Sequence, residues 1–253
     1  MGCLGVHSMI DFMKQAPLRP AFCIVGEPTN LQVATGHKGK TAVKVTCTGR
    51  EGHSALAPFA LNALYLASDL IGDIRKLQKE ISESGSGDPD YDVPYTTLHV
   101  GKLNGGTALN IVPNLCEMSF EIRNIAADDP AAILEKLRQK ASEIVDAARE
   151  TAPEAEIAME VFNTYPGLAT PEDASVVEFV KSLTGANGTC KVAFGTEGGL
   201  FSQELSIPTV VCGPGSMTQG HKPDEYIEIE QLRRCDAMLE KLVDCLESGI
   251  GLN

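Results

Sequence analysis

Ile207-Pro208-Thr209-Val210-Val211-Cys212, followed by Gly213-Pro214-Gly215-Ser216-Met217-Thr218-Gln219-Gly220-His221-Lys222-Pro223-Asp224-Glu225-Tyr226, decides the fold. A short apolar run reads as a buried strand, and the Gly, Pro and Ser after it read as a loop. His221 stands in that loop, directly before Lys222-Pro223-Asp224-Glu225. Loops on the ends of buried strands are where α/β sheets carry their ligand groups. On this stretch alone two readings stand: a ligand loop, or a surface turn with a solvated histidine. Phe22-Cys23-Ile24-Val25-Gly26-Glu27-Pro28-Thr29 repeats the design with a carboxylate in the turn. Two strand ends presenting Glu27 and His221 look like halves of a metal site, and zinc accepts oxygen and imidazole together.

Working outward, residues 4–14 read as a helix stopped by Pro17 and Pro20, and 21–25 as a strand. Residues 35–40 read as a polar turn, and Ala42 to Thr48 alternates as a half-buried antiparallel strand should. A loop follows at 49–55, then a helix from Ala60 to about Leu77, with Leu61, Leu64, Ala67, Ile71 and Ile74 at helical spacing. Residues 82–94 read as a loop, 96–103 as a strand, and 116–125 as another strand. Asp128-Asp129-Pro130 has the chemistry of a helix start, and that helix runs to about Thr151. Residues 156–162 close the pattern as a strand. So 42–162 reads β-α-β-β-α-β, the split βαβ pattern of a four-stranded sheet with two helices on one face. The flanks, 1–41 and 163–253, read as one discontinuous α/β domain into which that module is inserted. In the second flank, 172–183 reads as a helix, 192–194 as a strand, 195–199 as a turn and 229–246 as a closing helix.

Composition narrows the function. The chain has 253 residues, 43% hydrophobic, enough for a sizeable core. No apolar run approaches the roughly 20 residues of a membrane helix. A net charge of −13 argues against nucleic acid and anionic membrane as partners. The eight cysteines form no C-x-x-C pair, and several lie in strand-like runs. That pattern fits buried free thiols in a reducing cytosol.

Gly-Glu-Pro-Thr at 26–29, Gly-Arg-Glu-Gly-His-Ser at 49–54, Asn-Ile-Val-Pro at 110–113, Phe-Glu-Ile-Arg at 120–123 and the loop at 213–225 occur in order along the chain. Together they resemble the metal-dependent aminoacylase and succinyl-diaminopimelate desuccinylase family, in its acetylornithine deacetylase branch. The resemblance implies a zinc-peptidase-like α/β catalytic domain with an inserted ferredoxin-like lid that makes a homodimer. It implies two zinc ions per active site, with cobalt accepted, bridged by a water that they activate as hydroxide. The implied reaction hydrolyses N-acetyl-L-ornithine, or a related N-acylated amino acid, to a free amine and acetate. Glu27 and His221 are then ligands of the two metals. His53 is implied as the donor that reaches the partner subunit's site and stabilises the oxyanion. On the residues alone it reads rather as a loop histidine capping backbone. Asn110, otherwise a turn asparagine, is implied as a polar partner. Arg123, otherwise a strand-edge arginine in solvent, is implied to bind the substrate α-carboxylate. His37, Lys38 and Thr196 are implied substrate contacts, and Glu197, otherwise a surface carboxylate, is implied for the ornithine amine. Leu200 stands where a desuccinylase-type relative carries an arginine, which favours an acetylated substrate over a diacid.

One departure bears on activity. Relatives carry a sequence like Gly2-Cys3-Leu4-Gly5 just after the Glu-Glu pair that supplies their general base and a metal ligand. The resemblance therefore implies a fragment lacking the base and several ligands, inactive alone. His7 and His99 stand in a helix and a strand at no useful spacing to replace them. A non-catalytic dimerising remnant is the other reading.

Overall fold

A computed structural model describes residues 2–84, 87–220 and 222–249. Its elements run α1 Val6–Gln15, β1 Cys23–Val25, β2 Val33–His37, β3 Lys40–Thr48, β4 Gly52–His53, a 3-10 turn at Ser54–Phe59 and α2 Ala63–Ser84. Then come β5 Thr97–Gly105, β6 Ile111–Val112, β7 Leu115–Arg123, α3 Pro130–Arg149 and β8 Glu156–Tyr165. The chain ends with β9 Leu168–Ala169, α4 Ser175–Thr184, β10 Thr189–Val192, α5 Gly198–Leu205, β11 Thr209–Val211 and α6 Ile229–Ser248. These divide into two units. One holds Met1–Gly39, Asp88–Pro94 and Tyr165–Asn253, and the other Lys40–Gly87 and Tyr95–Thr164.

The second unit is a four-stranded sheet in the order β5-β7-β3-β8, the ferredoxin-like order. Strict alternation along β7 puts Cys116, Met118, Phe120 and Ile122 on the buried face, each 2% exposed or less. Their antiparallel partners on β3 include Cys47, Val45 and Val43. Leu66, Leu70, Ile74 and Leu77 of α2 recur at three- and four-residue spacing and join the same core as Ile133, Leu134, Leu137 and Ala141 of α3. Both helices therefore cover one face of the sheet. Asp129 caps α3 by accepting the Ala131 N–H at 2.9 Å, with Pro130 in the first turn. The β-α-β-β-α-β expectation matches this order of elements.

The first unit is a mixed sheet between two helical layers. β1 and β11 are parallel, β11 and β2 antiparallel, β2 and β10 parallel, and β9 pairs β2 antiparallel. Val33, Val210 and Cys212 pack with Val176, Val177 and Val180 of α4 and Met238 of α6. Ala34, Val211 and Leu168 form a second cluster, and α1 packs on α5 through Ile10, Tyr165 and Leu200. All eight cysteines are free. No helix among the described residues is long and apolar enough to cross a membrane.

Four local expectations change. Residues 35–40 are not a polar turn, because Thr35, Gly36 and His37 complete β2, all five of whose residues are buried. β2 lies between β10 and β11, so tertiary pairing overrides its polar composition. Its register skips Thr35: Cys190 faces Ala34 and Lys191 faces Gly36, a β-bulge. Residues 82–94 are not one loop. α2 continues to Ser84, and Asp88–Pro94 folds as a strap on the first unit. The strand expected at 192–194 lies at Thr189–Val192. The turn at 195–199 ends inside a short helix, α5, which begins at Gly198.

Candidate functional site

Glu27 stands two residues past Val25, which pairs in parallel register with Val211. Beyond that pair the backbones come so close that a Cβ on Gly213 would lie 2.1 Å from the Gly26 carbonyl oxygen and 2.6 Å from that of Glu27. Only glycine fits there. The chain then turns around Gly213, whose carbonyl accepts from the N–H groups of Thr29 at 3.1 Å and Leu31 at 2.9 Å. Asn30 and Leu31 take the left-handed conformation to do so, with φ of 56° and 61°. The result is a stiff floor of backbone beneath a half-buried Glu27. The 213–220 loop leaves from the same end, and His221 lies outside the described residues. Among the described residues no group of three or more His, Cys, Asp and Glu could hold a metal ion.

Lys38, Thr196 and Glu197 gather at the other end of this sheet. β2 runs antiparallel to β11, with Ala34 opposite Val211. Lys38 is thus about six residues along the strand direction from the level of Glu27, on the order of 20 Å. β10 runs parallel to β2 and brings the 193–198 turn to the same end. His37 ties that turn down. Its Nδ1 lies 3.0 Å from the Lys38 carbonyl, and its Nε2 accepts the Gly199 N–H at 3.1 Å. The accepting Nε2 leaves the ring proton on Nδ1, which donates to Lys38. Burial holds the ring neutral and lowers its pKa to about 4, against small opposing effects of the Lys38 carbonyl and Glu197. Both His37 nitrogens are therefore engaged inside the protein. Thr196 is buried, its hydroxyl accepting the Gly198 N–H at 2.9 Å. Glu197 is half-buried at the start of α5. Lys38 is only 2% exposed, its Nζ 5.6 Å from the centre of the Tyr91 ring, and burial lowers its pKa.

The remaining candidates lie in the second unit. His53 pairs with Ile111 on the short β4–β6 ribbon, and the Ser54 N–H donates to the Asn110 carbonyl at 3.0 Å. His53 and Asn110 are thus brought side by side, both exposed. The Nδ1 of His53 accepts the Ala55 N–H at 3.1 Å and caps the 3-10 turn. Capping fixes the neutral tautomer, because an accepting Nδ1 leaves the proton on Nε2 as an outward donor. Arg123 ends β7, at the opposite end of the sheet from the Leu115 that follows this ribbon, about 25 Å along the strand. It is half-buried, and its Nε and Nη2 donate to the Glu121 carboxylate at 2.9 and 3.3 Å. Lys40 lies 3.5 Å from the same carboxylate. Burial works against the Glu121 charge, but Arg123 and Lys40 outweigh it and hold the carboxyl below its usual pKa.

Tyr91 and Lys191 carried no sequence signal. Asp88-Pro89-Asp90-Tyr91 looks like ordinary loop composition, and Lys191 like a strand-edge cation.

Against this geometry the relationships to known proteins can be set. Residues 35–148 match the M20 peptidase dimerisation domain. The chain is 34% identical to an acetylornithine deacetylase of Klebsiella pneumoniae over 232 residues, 92% of this chain and 58% of that protein. It is 32% identical to the acetylornithine deacetylase of Yersinia pestis over 233 residues, with the same coverage. It therefore spans a little under three fifths of the length of these relatives. In fold it is similar to a tripeptidase from Staphylococcus aureus, with a TM-score of 0.71 at 20% identity, covering 97% of this chain and 63% of that one. An aminopeptidase from Bacillus cereus gives a TM-score of 0.61 at 19% identity, covering 93% and 60%. Residues 35–148 thus carry a dimerisation domain of the M20 peptidase kind. Across 92% of its length the chain is similar to acetylornithine deacetylases.

Proposed function

We propose that this chain belongs to a metal-dependent amide hydrolase that converts N-acetyl-L-ornithine and water to L-ornithine and acetate. The observation that supports this most is the match to acetylornithine deacetylases across 92% of the chain. Glu27 and His221 are the proposed metal ligands, and the metal, zinc or cobalt, supplies Lewis acidity and an activated water. The described residues by themselves do not compose a metal set. What this chain's residues do is position and bind. His53, held by its cap with Nε2–H outward, donates to the oxygen that gains negative charge, and Asn110 beside it supplies a second polar group. Arg123 binds the α-carboxylate, for which Glu121 holds its fork half-buried and pre-set. Lys38, Thr196 and Glu197 lie on the order of 20 Å along the sheet from Glu27, farther than one N-acetyl-L-ornithine held at that metal reaches, so they hold no group of the same substrate molecule. Residues 42–162 form the homodimer contact, in keeping with the dimerisation domain they carry. The free thiols suit a cytoplasmic setting.

The test is acetate release from N-acetyl-L-ornithine, with N-succinyl-diaminopimelate as the competing substrate and elemental analysis for zinc and cobalt. It is run on this chain and on the chain co-expressed with the remaining portion of a relative. Activity on the acetyl substrate that His53→Gln reduces at least a hundredfold is expected of the competent assembly. Inactivity of that assembly on both substrates overturns the assignment. A second reading is a non-catalytic dimerising chain, which the dimerisation-domain match at residues 35–148 supports. Metal-free, inactive protein that is dimeric by light scattering would support that reading.

A further inference from the structure

The strap Asp88–Pro94 is closed on itself and anchored at a lysine. The Asp88 N–H donates to the Pro94 carbonyl at 2.7 Å, and the Tyr91 N–H to the Asp88 carbonyl at 3.2 Å. Lys191 of β10 reaches Asp88 at 2.9 Å and Asp90 at 3.0 Å. Burial disfavours the Lys191 charge, and the two carboxylates more than offset it, so its pKa lies above the usual lysine value. The strap presents one large side chain to the sheet: Tyr91, only 4% exposed. Lys38 Nζ sits 5.6 Å and Lys191 Nζ 5.8 Å from the centre of its ring. Gly36 leaves the room for this. A Cβ there would come within 3.1 Å of the Lys191 stem and of the Tyr91 hydroxyl. An ammonium that is 2% exposed has lost most of its water, and an aromatic face replaces part of that hydration. A carboxylate of the strap, by contrast, is already committed to Lys191.

We propose that Tyr91 is a positioning residue: its ring, held down by the Lys191 pairs to Asp88 and Asp90, seats the Lys38 ammonium at the end of β2. The two lysines have different work. Lys191 is neutralised and anchors the strap. Lys38 is the cation that the ring locates and that the strap shields from bulk solvent. The seating of Lys38 by Tyr91 does not rest on the function proposed above, and a measurement on Lys38 itself tests it separately.

The experiment labels the lysines of the full chain with trace acetic anhydride at pH 8 and quantifies modification of Lys38 by peptide mass spectrometry, with exposed Lys76 as reference. Three variants are compared with the wild type: Tyr91→Phe, Tyr91→Leu and Lys191→Met. Seating by the ring predicts that Tyr91→Phe labels Lys38 within about twofold of wild type, while Tyr91→Leu and Lys191→Met raise labelling roughly tenfold. A ring that only fills space would let Leu substitute for it, so wild-type labelling in Tyr91→Leu overturns the proposal. So does Tyr91→Phe behaving like Tyr91→Leu. If Tyr91→Leu does not melt cooperatively, Lys191→Met decides: unchanged Lys38 labelling there overturns the proposal, and raised labelling upholds it.

Discussion

His37 should make the stability of the first unit depend on pH in a way one substitution can isolate. In the unfolded chain the imidazole takes up its proton near 6.5, whereas in the fold burial lowers its pKa to about 4. Between those values the unfolded state binds more protons, so acid favours unfolding. The stabilisation is fully present above pH 6.5 and is lost as the pH falls toward 4. At about 1.36 kcal/mol per unit, the gap is worth about 3 kcal/mol, a large share of a typical domain's stability. His37→Gln removes the titration. It also weakens the two hydrogen bonds to Lys38 and Gly199, so at pH 7 the variant should be less stable by about 1–3 kcal/mol. On acidification to pH 4.5 the wild type should lose about 2–3 kcal/mol more than the variant, and their stabilities should converge. Urea unfolding at half-unit pH steps, followed by far-ultraviolet circular dichroism because the chain has no tryptophan, measures both curves. Every other titrating group is common to the pair and cancels in the difference. Curves that stay parallel from pH 7 to 4.5 would refute the reasoning.

Other substitutions test the remaining frame. Gly213→Ala puts a methyl 2.1 Å from the Gly26 carbonyl, so β1 and β11 must separate. We expect a loss of roughly 2–4 kcal/mol by urea unfolding, and a stability unchanged within 0.5 kcal/mol (about the effect of a neutral surface change) would show the contact to be soft. Thr96 is fully buried, donates to Asp128 at 2.5 Å and accepts the Ile125 N–H at 3.1 Å. Thr96→Val should cost about 1–3 kcal/mol, because the Ile125 N–H loses its acceptor and Asp128 loses one hydrogen bond, and Thr96→Ser should restore most of it. Leu137→Ala removes a side chain that is 1% exposed between α3 and the sheet, for a loss of about 2–5 kcal/mol in thermal or urea unfolding. The exposed Arg50–Glu154 pair should by contrast be dispensable, with Arg50→Met leaving the unfolding midpoint unchanged.

Local pattern carried most of the second unit. β7 alternates because one face of its sheet is buried, and α3 announces itself through Asp129-Pro130, so both elements can be read without a partner in view. β2 could not be read that way. Its buried Thr35 and His37 look like turn residues; Gly199, from elsewhere in the chain, satisfies the His37 ring, whereas the Thr35 hydroxyl is buried without a hydrogen-bond partner among the described residues. α5 was hidden for a similar reason. Its glycines at 198 and 199 read as turn residues, but the Gly199 Cα lies against the Pro166 and Gly167 carbonyls, where a Cβ would come within 2.3 Å of the nearer. At the site, the strand-end position of Glu27 followed from the apolar run before it. The placement of Lys38 and Glu197 at the opposite sheet end did not, because it depends on β2 running antiparallel to β11. Nor did the pairing of Arg123 with Glu121, two residues back on its own strand, suggest itself from sequence.

The nesting of one unit within the other has a consequence for how the polypeptide is made. Cys23 of β1 pairs with Thr209 of β11, and Val33 of β2 with Thr189 of β10. As synthesis proceeds, β1 and β2 emerge long before their partners, and at about 5–20 residues per second they wait on the order of ten seconds or more. All strands of the second unit's sheet, by contrast, have emerged once β8 is complete. The inserted unit can therefore fold first on the ribosome, and in doing so it shortens the loop that the outer sheet must close. Until then, the apolar Cys23–Val25 segment is an unpaired strand in search of an edge, the point in the life of this chain at which aggregation competes with folding.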